Sequence, residues 1–198
     1  MASGFRRLTM AVALTMGIAA SASAAPIFSD DFQGSLGQWN TGSSGQIVAD
    51  PLGGGGRALN FTLPGSGGDL FSAASYASPT GIFRLTFDYL GTCSGTECGE
   101  FIGFNNPSET WLAGGASYPT LFPISDTGAW QTTSFVFTSA SAIQLKLEDF
   151  GGSADHAPLN AYFRNLVLEA VSVPEPTSMA LLGTGLFGLA LRRRVERS

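Results

Sequence analysis

Residues 81–90 read GIFRLTFDYL. Phe83, Leu85, Phe87 and Tyr89 alternate with Arg84, Thr86 and Asp88, and a period of two sends one set to a buried face and the other to a wet one. The same alternation recurs in RALNFTL at 57–63, through Leu59, Phe61 and Leu63. It recurs again in SAIQLKLED at 141–149, where Ile143, Leu145 and Leu147 stand against Gln144, Lys146 and Glu148. PIFSDDF, GQIVAD, DLFSAASY, EFIGFN, WQTTSFVFT and AYFRNLVLEAV are less regular but strand-like, which makes about nine strands. Between them lie turn-formers: PLGGGG, PGSGG, GTCSGTECG, NNPSE, SDTG and GGSAD. No amphipathic helix intervenes, which disfavours a parallel βαβ architecture, and an antiparallel sandwich is expected. No repeat of fixed period points to a propeller or solenoid.

Composition agrees. The chain of 198 residues is 44% hydrophobic, enough for one core of ordinary size, and only 13% charged, with 26 glycines. That balance favours short strands and many turns over long surface helices.

The two ends read differently from the middle. Arg6 and Arg7 precede an apolar run from Leu8 to Ala20, and Ala22-Ser23-Ala24 supplies the small-residue exit that a signal peptidase cleaves. Residues 1–24 are therefore assigned to a signal peptide, 25–172 to the β-sandwich domain and 173–198 to a separate C-terminal signal. Export to an oxidising compartment permits Cys93 and Cys98, the two cysteines, to pair across a Gly/Ser-rich loop. With one distant histidine, His156, they do not make a four-ligand zinc set.

The last segment begins with Pro174-Glu175-Pro176, continues as SMALLGTGLFGLAL and ends in Arg192, Arg193 and Arg194. As a short transmembrane helix the apolar run of about 14 residues would cover about 21 Å of a hydrocarbon core about 30 Å thick. The arginines place its end in the cytoplasm. A glycolipid-anchor signal would end in its apolar run, and a buried helix of the domain would be amphipathic. The three-part order, over residues 173 to 194, resembles the PEP-CTERM sorting signal of exported Gram-negative bacterial proteins. The resemblance implies recognition and processing by exosortase, an inner-membrane-anchored precursor, and a final place at the cell surface or outside it, often alongside exopolysaccharide and biofilm. The two prolines keep the flanked glutamate extended and helix-free, which suits a peptide gripped by a processing enzyme.

The order of strands from DDF…W to AYFRNLVL is similar to the jelly-roll of galactose-binding-like domains and carbohydrate-binding modules. That resemblance implies a structural calcium site opened by Asp30 and Asp31, but the closing Asp-Asn pair of the pattern reads Arg164-Asn165 here. A cation stands where an oxygen ligand belongs, and calcium takes six to eight oxygens. The two aspartates equally read as solvated residues at a strand start, or as partners of Arg164.

Charge and motif narrow the function. Between residues 25 and 173, Arg57, Arg84, Lys146 and Arg164 face thirteen acidic side chains, a net −9, which repels a nucleic acid. No G-x-S-x-G elbow is present, and Asp155-His156 with a serine is not a triad without geometry. Glu97, Glu100, Glu109, Glu148 and Asp149 offer carboxylates for a glycosidase pair, as any acidic protein does. The chain is therefore expected to be no enzyme. Polysaccharide binding needs flat rings beside amides and carboxylates. Trp39 and Trp130 read as core residues. Trp111 sits in FNNPSETWLAGGASYPTLF, taken as a long loop, with Asn105, Asn106, Glu109 and Tyr118 as its polar company. A ligand platform and a loop tryptophan folded onto the sandwich are equal readings of it. The alternatives to a binding module are a matrix protein with no small ligand and, third, a glycan hydrolase.

Overall fold

The computed structural model describes residues 26–40, 44–61, 69–93, 99–114, 120–150 and 160–172. The expected signal peptide, Cys98, Tyr118, His156 and the C-terminal segment from Val173 onward, with its apolar run, lie outside the described residues. Residues 23–173 form one compact unit.

The described residues form eleven strands: β1 (Pro26–Asp30), β2 (Gly45–Ala49), β3 (Arg57–Phe61), β4 (Leu70–Phe71), β5 (Ile82–Gly91), β6 (Glu100–Asn106), β7 (Ser108–Gly114), β8 (Phe122–Pro123), β9 (Gln131–Thr138), β10 (Gln144–Asp149) and β11 (Ala161–Ala170). One sheet runs β2-β3-β11-β5-β9, with β1 also paired to β11; the other runs β4-β10-β6-β7-β8. Every pairing is antiparallel except β7 with β8. This is the expected all-β sandwich. The additions are β7 and β8, because Gly- and Pro-rich sequence there conceals strands held by their neighbours rather than by propensity.

The alternation at 81–90 does what its period predicts. Phe83, Leu85, Phe87 and Tyr89 are at most 2% exposed. They meet Phe135 and Phe137 of β9 and Phe163 of β11 on their own sheet, and Ile102, Phe104, Leu145 and Leu147 from the other. A stack links the layers: Phe83 to Phe137 at 5.3 Å between centroids, and Phe137 to Phe104 at 5.4 Å, both nearly parallel. Burying a side chain of this size contributes about 1.5–3 kcal/mol.

β11 serves two partners in succession. Phe163 pairs with Leu59 of β3, whereas residues 166–169 pair with β1. Between these stretches the register with β5 shifts, and Asn165 takes a positive φ of 52°. Such a bulge bends the strand and re-aims its side chains.

Candidate functional site

The face of the five-stranded sheet turned away from the core carries the site, and rows across the strands build it. Lys146 of β10 lies opposite Gly103 of β6, and Gly103 opposite Trp111 of β7. Because Gly103 has no side chain, its neighbours meet over it. A Cβ there would overlap the carbonyl oxygen of Thr110 and come 3.0 Å from Trp111 Cε3. The Lys146 ammonium stands 4.3 Å from the centre of the Trp111 ring. In the next row Glu148, Phe101 and Gly114 are neighbours, and the Phe101 ring occupies the space a side chain at Gly114 would need, with Cε1 at 2.6 Å. Two glycines thus let two aromatic rings lie against the sheet, their centroids 5.6 Å apart.

Polar groups gather beside the rings. Lys146 Nζ donates to Glu109 Oε1 at 2.6 Å, is 2.9 Å from Asp69 Oδ2 and 4.0 Å from Glu148 Oε2. The Lys146 side chain is 3% exposed and Glu148 is 7%, while Glu109 is half in water at 51%. Burial works against the ammonium, but Glu109, Asp69 and Glu148 outweigh it and raise its pKa. Burial, reinforced by Asp69, pushes Glu148 up to about 7 despite the opposing charge of Lys146. Asp69, Phe101, Glu109, Trp111, Lys146, Glu148 and Phe150 enclose about 240 Å³. That lies below the range of about 300–1,000 Å³ for drug-sized ligands.

The sequence-predicted residues divide. Trp111 and Glu109 are at the site, but on a strand: 100–114 is a hairpin turning at Pro107, not the loop expected. Asn105 is on the same face, opposite Gln144 and Glu109, outside the cavity lining. Asn106 points elsewhere and donates to Ser139 Oγ at 2.8 Å. Asp69, Phe101, Lys146 and Phe150 were missed, and Glu148 was named only among the acids that could form a glycosidase pair. Lys146 and Glu148 were read as wet because they alternate with Leu145 and Leu147; they do face away from the core, yet they are buried under the rings. The one signal available was the rarity of lysine, a single residue between 25 and 173 in the middle of a strand.

The calcium expectation meets a different geometry. Asp30 Oδ1 accepts from Phe32 N at 2.8 Å and Oδ2 from Trp39 Nε1 at 2.8 Å, so both oxygens hold the 31–39 turn. Asp31 Oδ1 accepts from Gln33 N at 2.9 Å. Arg164 turns to Asp50 at 3.0 Å and Asp88 at 3.3 Å rather than to either. Among the described residues no group of three or more acidic, His or Cys side chains is arranged to hold a metal. Asp30 Oδ1, Asp30 Oδ2 and Asp31 Oδ1 thus each already accept a hydrogen bond within the turn that follows β1. Cys93 is not a free thiol, and its expected partner Cys98 is outside the described residues.

Of the other tryptophans, Trp39 is in the core at 2% exposure, packed on Phe28 and Phe32. Trp130 is not: it is half-buried on the other sheet, with the Arg164 guanidinium 3.9 Å from its ring centre and its Nε1 donating to Asp50 Oδ1. Asp50 is held below the usual carboxylate range, because hydrogen bonds from Trp130 and Leu52 N and the charge of Arg164 outweigh its burial.

Residues 172–194 match the PEP-CTERM protein-sorting motif. No curated protein sequence matches the chain. Among solved structures the chain is similar to the CBM22-1 xylan-binding domain of Paenibacillus barcinonensis Xyn10C, at 12% identity and a TM-score of 0.50, over 78% of this chain and 99% of that one. It is similar to the CBM22-1–GH10 modules of Clostridium thermocellum xylanase 10B complexed with xylohexaose, at 12% identity and a TM-score of 0.53, over 76% of this chain and 29% of that two-module chain. The tandem CBM22-1–CBM22-2 of Paenibacillus barcinonensis Xyn10C gives 12% and 0.51, over 78% and 49%. At such identity the likeness is one of fold: the sandwich is a jelly-roll of the kind found in carbohydrate-binding modules.

Proposed function

We propose that the chain is an exported protein sorted through its PEP-CTERM segment by exosortase, and that its sandwich is a non-catalytic module that binds extracellular polysaccharide on the Trp111 face. The observation that carries this reading is the part-exposed Trp111 ring, laid over Gly103 and backed by the buried Phe101, beside Asp69, Glu109 and Glu148. A pyranose rests its apolar face on such a ring while carboxylates accept from its hydroxyls. The fold supports it, since the similar domains include a xylan-binding one. A glycosidase would instead need an acid and a base flanking an open scissile bond. Here Glu148 and Glu109 both lean on Lys146, which favours binding over turnover.

Affinity electrophoresis of the 23–173 unit through gels containing xylan and other plant and bacterial glycans tests the binding half. Retardation by at least one glycan, lost in Trp111→Ala, is expected. No retardation by any glycan would leave the matrix role without a small ligand, and release of reducing ends would restore the hydrolase. For the sorting half, the intact mass of the native protein is compared with Glu175→Ala. Loss of both ends in wild type with retention of the tail in the variant is expected; retention in both would reduce the segment to an anchor.

A further inference from the structure

The charge of the Trp111 cavity selects among glycans, a step that rests on the reading of this face as a polysaccharide site. Asp69, Glu109 and Glu148 are three carboxylates against one ammonium, and among the described residues no second cation lines the cavity. That ammonium is spent inward: Lys146 is 3% exposed and already engaged by Glu109 and Asp69. What an incoming sugar meets at the mouth is the half-exposed Glu109 carboxylate and the Trp111 ring. Lys146 itself shows what these groups hold: an alkylammonium at 2.6 Å from a carboxylate and 4.3 Å from an indole centre. We propose that the site prefers glycans carrying free amines, such as glucosamine polymers, over their N-acetylated, neutral and uronate counterparts.

The chemistry follows from the contacts. A protonated sugar amine that stacks on Trp111 gains a charge-assisted hydrogen bond to Glu109 and a cation–π contact, where an N-acetyl group gains a neutral hydrogen bond only. A uronate would bring a fourth carboxylate to a site whose one cation is covered. Partial protonation of Glu148 near neutrality reduces the surplus without reversing its sign. The domain's net −9 adds a long-range field of the same sense.

Calorimetry on the 23–173 unit distinguishes the possibilities, with hexamers of glucosamine, N-acetylglucosamine, xylose and galacturonate as probes. At about pH 6 the amines are charged, and about 0.15 M salt screens contacts beyond about 8 Å. The glucosamine hexamer is expected to bind about tenfold more tightly than its N-acetylated form, the gap of one charge-assisted contact. Glu109→Gln is expected to bring that ratio toward one, while Asp31→Asn, an exposed acid away from the cavity, leaves it in place. Equal affinity for the two hexamers, or galacturonate binding best, overturns the proposal. So does a preference that survives Glu109→Gln or falls equally in Asp31→Asn, because bulk charge would then explain it. If no hexamer binds and Trp111→Ala changes nothing, the polysaccharide site itself fails and the amine preference falls with it.

Discussion

Replacing Lys146 by methionine removes the charge at the centre of the site and keeps most of the side chain's length, so the loss it causes is electrostatic. Glu109, 51% exposed, returns to water and accounts for no more than about 1 kcal/mol, as an exposed pair does. Asp69 and Glu148, 22% and 7% exposed, are left facing each other, and stripping the partner from a buried pair costs about 3–5 kcal/mol. The upper end is not reached, since Glu148 escapes by taking a proton. Loss of the contact with the Trp111 ring adds about 0.5–2 kcal/mol. The expected destabilisation is about 4 kcal/mol at pH 8, which for a unit of this size lowers Tm by about 8–16 °C. Urea unfolding followed by tryptophan fluorescence measures it. At pH 5 Glu148, raised to about 7, already carries its proton, and the loss is expected to shrink by about half. Lys146→Met with Glu148→Leu is expected to recover most of the deficit, because an apolar pair replaces a stranded charge. A variant within about 0.5 kcal/mol of wild type at pH 8, or a deficit identical at the two pH values, would refute the account of a buried cluster.

Glu148 has a further signature. Its folded pKa of about 7 lies above its ordinary 4.5, so its contribution to stability is fully present below pH 4.5 and is lost as pH rises through 7. The difference in unfolding free energy between wild type and Glu148→Gln is expected to fall by on the order of 1–3 kcal/mol across that window; a flat difference would mean the carboxyl is not buried. Gly103→Ala sets a Cβ against Thr110 O and Trp111 Cε3 and forces β7 away from β6. A cost of about 1–3 kcal/mol is expected, with a shift in Trp111 emission and weakened glycan retardation. Unchanged stability and emission would show that the ring does not lie over Gly103.

What the sequence determined by itself was the layer structure. A period of two is a local property of the backbone, so residues 81–90 show which side chains enter the core without knowledge of any partner strand. The C-terminal sorting motif is equally local, read along one continuous segment. Even the ends of the site were visible, since Trp111 and Glu109 stood out as an aromatic and an acid in polar, glycine-rich surroundings. The hairpin was not, because Asn105, Asn106, Pro107 and the glycines beyond mark a loop by local preference, and the ladder with β10 overrides that preference.

Only the tertiary structure decided that Lys146, Gly103 and Trp111 are neighbours. They come from three strands, and which residues face one another across strands is set by register, a non-local quantity that alternation leaves open by steps of two. Once the register is in place, the missing side chain of Gly103 brings an ammonium onto an indole ring, and a strand position that alternation marks as wet becomes the buried floor of a cavity. The same reasoning covers Asp30 and Arg164: the sequence left open a pairing between them, but Asp30 holds the 31–39 turn with both oxygens, and the bulge in β11 accompanies an Arg164 that reaches Asp50 and Asp88 instead.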